Sequence, residues 1–204
     1  MKTEWQKKLL GDLCDYQRGL TYAKSDEVEV SGNIVLRATN IDLATNLLNL
    51  EELKYISDKI DVPESKKVKK GTLMICMASG SKTHLGKVAF IDEDYGYAFG
   101  GFMGLITPRD DLSARFLFHL MTSEYYKGFI RKLSDGANIN NLKTDDLLKL
   151  QIPLPPITEQ RRIAEKLDTL LEETQKLARL HNQKQLAVEA LKRTILHEAF
   201  LGNI

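Results

Sequence analysis

The sequence predicts an α+β protein, a mixed-sheet globule of about 155 residues followed by one long C-terminal helix of coiled-coil character. Three observations carry this expectation. Short apolar runs alternate with turn signals over the first three quarters of the chain, which is the pattern of strands. Three prolines then crowd the segment QIPLPPIT at 151–158 and forbid a helix there. From Thr158 to Leu201 the chain contains no Gly and no Pro, so a helix of about 42 residues and roughly 60 Å is allowed.

In order along the chain, NIVLRAT at 33–39, TLMICMAS at 72–79, KVAFI at 87–91 and FMGLIT at 102–107 read as strands. FGGFMG, with Gly100, Gly101 and Gly104, reads as a hairpin turn or bulge between two of them rather than as a nucleotide cradle. Phe116, Leu117, Leu120, Met121, Tyr125, Phe129 and Leu133 recur at helical spacing and predict one helix within 113–133. A shorter helix is expected over Thr144–Leu150, capped by Thr144, with Asp145 and Asp146 near the positive end of its dipole. For the long helix Thr158 is the expected N-cap and Gly202 the stop. The domains are thus expected at 1–155 and 156–204.

A seven-residue repeat counted from Ile163 puts Ile163, Leu167, Leu170, Leu177, Val188, Leu191 and Ile195 on one seam, with Thr174, His181 and Lys184 as a polar centre. Such a stripe needs a partner helix. If two copies pair antiparallel about an axis near residue 179, Ile163 faces Ile195, Leu167 faces Leu191 and Leu170 faces Val188. The alternatives are a helix folded back near His181, Asn182 and Gln183, or a helix lying on the globule.

Length and charge limit the rest. With 204 residues, 29 Lys plus Arg against 28 Asp plus Glu, and a formal charge of +1, the chain has no global attraction to nucleic acid or anionic lipid, so such a surface must be local. Cys14 and Cys76 are too few and too far apart for a disulfide scaffold or a CxxC metal site, and are expected to be buried thiols in a reducing, cytoplasmic setting. No 18-residue apolar run exists, so no membrane span is expected. His84, His119, His181 and His197 form no HExxH or HxH pattern, and no GxSxG elbow or GxxxxGK[ST] loop is present. No catalytic residue, metal or cofactor is therefore expected. Asp92, Glu93 and Asp94 form a compact acidic run that suits either a solvated turn or a divalent ion, and the latter keeps open a stand-alone metal-dependent endonuclease.

Binding signals are stronger than catalytic ones. Between Lys54 and Lys87 eight lysines stand against Asp58, Asp61 and Glu64, a local excess suited to phosphate. SGSKTH at 79–84 follows an apolar strand and offers Ser79, Ser81, Lys82, Thr83 and His84 as donors and acceptors for base edges. SDGANINN at 134–141 offers the amides of Asn138, Asn140 and Asn141, although Asn and Gly are equally the residues of plain turns. Arg37 and Asn40, in RATNI at 37–41, make a third candidate patch at a strand end.

The stretch NINNLKTDDLLKLQIPLPPITEQRRIAEKLDTLLEE at 138–173 resembles the end of a target recognition domain and the start of the long helix in specificity subunits of Type I restriction and modification systems. GDLCDYQRGLTYAKSD at 11–26, VLRATNI, the hairpin GTLMICMASGSKTHLGKVAFI at 71–91 and the ending ILHEAFLGNI at 195–204 are similar to the same family. The resemblance implies a non-catalytic subunit whose recognition domain binds double-stranded DNA and whose long helices space the domains and dock methyltransferase subunits, the restriction subunit joining through the methyltransferase. A family member typically has two recognition domains and two long helices, whereas this chain has one of each. The resemblance therefore implies half a subunit, able to rebuild the whole as a homodimer on a bipartite site, or else one piece of a longer arrangement.

Overall fold

A computed structural model describes residues 5–80, 83–134 and 141–202. Among them, ten strands run in the order β1 (Gln6–Leu9), β2 (Cys14–Arg18), β3 (Glu27–Val28), β4 (Asn33–Leu36), β5 (Lys54–Ile56), β6 (Leu73–Cys76), β7 (Val88–Phe90), β8 (Ala98–Phe99), β9 (Met103–Pro108) and β10 (Gln151–Leu154). The α-helices are α1 (Leu10–Leu13), α2 (Ala114–Thr122), α3 (Glu124–Ser134), α4 (Thr144–Leu147) and α5 (Ile157–Phe200). The fold is α+β with a long C-terminal helix. Contacts divide the chain into two units, Met1–Arg162 and Ile163–Ile204.

Three sheets organise the first unit. β2-β9-β6-β7 is antiparallel throughout, β3-β5-β4-β8 is mixed because β4 and β8 run parallel, and β1 pairs only with β10. The apolar run expected at 72–79 becomes β6, whose four residues are all fully buried because the strand lies inside its sheet with both faces covered. β6 and β7 form the expected hairpin, with Leu73 opposite Phe90 and Ile75 opposite Val88. The main core lies between the two four-stranded sheets. Leu36 and Phe99 from one meet Met74, Cys76, Ala89, Met103 and Leu105 from the other, and burial of each Leu, Phe or Met among them contributes about 1.5–3 kcal/mol.

Several expectations are corrected. The single helix over 113–133 is two helices broken at Ser123, which adopts ψ 163°. Its hydroxyl donates to Leu120 O at 2.6 Å, competing with the helical ladder, and its carbonyl then accepts the Lys127 amide as α3 begins. Thr144 is the first residue of α4 rather than its cap, and α4 ends at Leu147, three residues short of the expected limit. FGGFMG is not a hairpin, because β8 and β9 belong to different sheets and the glycines carry the chain from one to the other.

The proline block forms β10. Pro153 is admitted because β10 has a single neighbour, so its missing donor leaves no second ladder incomplete. α5 then starts one residue before the expected Thr158 cap, the Pro156 carbonyl accepting from the amides of Glu159 and Gln160. Gln160 is 0% exposed. Its Oε1 accepts from the Ser113 amide at 2.8 Å, and its Nε2 donates to Asp111 O and to Pro155 O at 2.9 Å each. That anchor explains why the contact boundary falls after Arg162 and not at the prolines.

α5 is continuous through His181, Asn182 and Gln183, so the fold-back alternative is excluded. Gly202, at φ 74°, supplies the left-handed residue that follows a helix end, as expected. The seam is open along the helix in the single chain. Leu177, Val188 and Leu191 are each at least 60% exposed, and Leu167, Leu170 and Ile195 are also exposed. Among the described residues no helix is long and apolar enough to cross a membrane.

Both thiols are buried, and burial pushes Cys14 up to about 12 and Cys76 up to about 11. The native protein at pH 8 should therefore leave both unreacted with a thiol-exchange reagent over minutes, and unfolding should release two. Gln160→Ala, which removes three hydrogen bonds to backbone, one of them buried and two part-buried, should lower unfolding free energy by about 1–3 kcal/mol in a urea titration.

Candidate nucleic-acid interface

The site is built on a close crossing of two backbones. Just past β2, Gly19 passes so near the end of β8 that a Cβ there would stand 2.0 Å from Gly100 O. Only glycine fits. The approach is bonded on both sides of the crossing: Gly19 N donates to Met103 O at 3.0 Å, Leu20 N to Phe99 O at 2.7 Å, and Gly100 N to Leu36 O at 2.9 Å. The two four-stranded sheets are thereby joined at one point, and a cavity of about 530 Å³ opens over it, lined in part by Arg18, Lys24, Arg37, Ser79 and Phe102.

Three cations line this cleft, and Glu27 is its one carboxylate among the described lining residues. Lys54 lies 2.7 Å from that carboxylate and holds it below its ordinary range, so it stays charged and paired. Arg18 donates from Nε to Gly101 O at 3.3 Å, while Lys66 Nζ donates to Arg18 O at 2.7 Å. Arg37 Nε is buried and finds no hydrogen-bond partner among the described residues. The arrangement suits an anion with an apolar body.

The cleft also adjoins the roots of both candidate loops. Leaving β6, the amides of Met77 and Ala78 donate to Phe102 O at 2.9 and 3.1 Å, and Met77 O accepts from Leu142 N at 2.7 Å. Ala78 further forms a β-bridge with Asn141. The loop after residue 78 and the loop before residue 141 therefore begin side by side.

Sequence-predicted residues divide into four groups. Arg37 and Ser79 line the cleft. Thr83 and His84 close the first loop, with Thr83 Oγ1 3.4 Å from His84 Nδ1, and exposed Asn141 stands at the bridge. Ser81, Lys82, Asn138 and Asn140 lie outside the described residues. Asn40 is a correction: it is 1% exposed, its amide donates to Asn49 O and Glu52 O at 2.9 Å each, and its Oδ1 accepts from Arg37 N. It organises the loop between β4 and β5 and has no donor left for a base.

The lysine-rich segment is less open than its composition suggests. Lys54 pairs with Glu27, Lys67 pairs with Glu64, and Lys87 Nζ is buried without a partner among the described residues, burial lowering its proton affinity. The acidic run is taken up locally: Asp92 accepts from the Tyr95 hydroxyl at 2.7 Å and Asp94 from the Lys70 amide at 2.8 Å. No group of three or more His, Cys, Asp or Glu able to hold a metal occurs among the described residues. The nuclease alternative gains no support from this geometry.

Sequence reasoning missed Arg18, Gly19, Lys24 and Phe102. Phe102 is 70% exposed at the tip of the glycine turn, and an aromatic residue directly after the Gly100–Gly101 pair is the signal the sequence offers.

The fold is an α+β unit followed by a long helix, and comparison with known proteins identifies its family. Residues 2–189 match the family model described as Type I restriction modification DNA specificity domain. The chain is 33% identical over 190 residues to the Type I restriction enzyme EcoKI specificity subunit of Escherichia coli K12, covering 92% of this chain and 40% of that protein. It is likewise 33% identical over 191 residues to the StySPI specificity subunit of Salmonella potsdam, again covering 92% and 40%. A chain solved in work on complex assembly and conformational transition of the type I R-M system superposes with a TM-score of 0.75 at 22% identity, covering 98% of this chain and 46% of that one, which is a likeness of fold. The chain belongs to the Type I restriction modification DNA specificity domain family, and it spans about 40% of the length of these curated relatives.

Because Asn40 is structural, Asn40→Ala should lower stability by about 2–3 kcal/mol in chemical unfolding. Any loss of DNA affinity in that variant should track its unfolded fraction rather than the sequence of the duplex.

Proposed function

We propose that this chain is a non-catalytic, sequence-reading subunit of a cytoplasmic Type I restriction-modification complex. Its globule, residues 1–155, reads one half-site of double-stranded DNA, and its helix, residues 156–204, pairs with a second copy and docks methyltransferase subunits. The restriction subunit then joins through the methyltransferase. The observation that carries this reading is the Ala78–Asn141 bridge, which starts both polar loops beside a cleft lined by Arg18, Lys24 and Arg37. Phosphates fix register on such cations while loop side chains meet base edges.

The exposed seam supports the homodimer. Ile163, Leu167 and Leu170 of one helix would cover Ile195, Leu191 and Val188 of its antiparallel partner, leaving Thr174 and Lys184 at the centre. In this reading one copy supplies one reader, and the chain's span of about 40% of its relatives' length is compatible with it. Two copies on a two-fold axis then read a symmetric, two-part sequence.

Co-purification with the methyltransferase subunits, followed by mapping of methylated adenines, should return a palindromic motif split by a fixed spacer. An asymmetric motif would contradict the homodimer, and absence of methylation would contradict the role. Leu170→Asp should weaken self-association at least a hundred-fold by sedimentation, since each dimer loses two buried leucines and gains two charges. In the binding loops, Lys82→Ala should weaken DNA binding for all sequences, whereas Asn140→Ala should relax sequence choice.

A further inference from the structure

Phe102 stands out among the exposed apolar side chains of the first unit because its backbone is so firmly held. Its carbonyl accepts from two amides, at 2.9 and 3.1 Å, and Met103 N closes the turn onto Gly100 O at 2.7 Å. Yet its ring is 70% exposed. An aromatic ring has only two side-chain torsions, so on a backbone already held it loses little entropy when it meets a flat partner, which is how aromatic residues serve as binding anchors. Beside it the cleft has glycine backbone at residues 100 and 101, where a Cβ at Gly101 would stand 3.0 Å from Thr21 Oγ1. The absence of a side chain keeps that floor clear.

At about 530 Å³ the cavity falls in the roughly 300–1,000 Å³ range of small-molecule sites. Its charged side chains are Arg18, Lys24 and Arg37 against Glu27, which Lys54 pairs, and Thr21, Tyr22, Thr39 and Ser79 add neutral polar groups. A flat apolar surface, an anion and a hydrogen-bond acceptor occur together in a nucleotide.

We propose that the cleft is a site for one nucleotide unit, its base stacked on Phe102 and its phosphate held by Arg18, Lys24 and Arg37. Within the DNA-reading function proposed above, on which this placement rests, the unit is a nucleotide partly unstacked from the duplex, and the ring acts as a wedge beside the base-reading loops. A free mononucleotide offers the same chemistry and is separated from DNA by the test.

Phe102→Trp places a fluorophore at the site, and the wild-type protein, whose single tryptophan is Trp5, supplies the background. The full chain is titrated with its cognate duplex and, separately, with dAMP, while anisotropy of a labelled duplex reports DNA binding in the same samples. Quenching by the duplex is expected, and Phe102→Ala should weaken duplex binding about ten-fold with unchanged thermal unfolding. Quenching by dAMP alone assigns the site to a free nucleotide. Duplex binding with no quenching by either ligand overturns the nucleotide site while leaving DNA recognition standing. No duplex binding and no quenching overturns both. Should Phe102→Ala fold poorly, Phe102→Leu, which keeps apolar bulk but removes the stacking face, carries the affinity comparison, and unchanged affinity in it overturns the proposal.

Discussion

The architecture of the first unit depends on one close contact, the passage of Gly19 against Gly100. Each four-stranded sheet could form its own ladder without it, but their mutual position would not be set by backbone bonds at that point. The contact converts two sheets into one scaffold and creates the cleft as a by-product. It also fixes the turn that displays Phe102. Residue 19 tolerates little change, because a Cβ there meets carbonyl oxygen, which has no rotamer in which to move away, whereas a Cβ at residue 100 would find only ordinary contacts, the nearest with Leu36 O at 3.5 Å.

Gln160 is a second device of the same kind. A buried amide with all three of its neighbours on backbone is a geometric fastener, stabilising only while every partner is present. It ties the first turn of α5 to the segment before α2 and to the end of the proline block, all within the first unit. Beyond Arg162 the helix has a different task. Its exposed leucines, with Val188 and Ile195, are explained if a second helix covers them, which is the pairing proposed above.

Much of the scaffold was legible in the sequence. β6, β7 and β9 announce themselves as apolar runs of strand length, and α5 as a stretch without glycine or proline behind three prolines. β3, β5 and β8, of two or three residues each, are too short to show a period, and they exist because neighbouring strands complete them. The break at Ser123 was hidden because the apolar spacing continues across it, while a side-chain hydroxyl decides the local backbone. The site was read less well for a related reason. Asn40 is of a type suited to adenine, but residue type does not report burial, and its amide faces carbonyls. Arg18, Lys24 and Phe102 join Arg37 and Ser79 only after two sheets are brought together, an arrangement that no local pattern encodes.

The central claim is that the cleft over the Gly19–Gly100 crossing faces DNA. Amide hydrogen exchange on the full chain, with and without its cognate duplex, addresses it directly. Slowed exchange at residues 18–24, 37–39, 77–79 and 100–103 is the predicted result. Protection confined to other surfaces, such as 54–70 or 114–134, with those four segments unchanged, would contradict it.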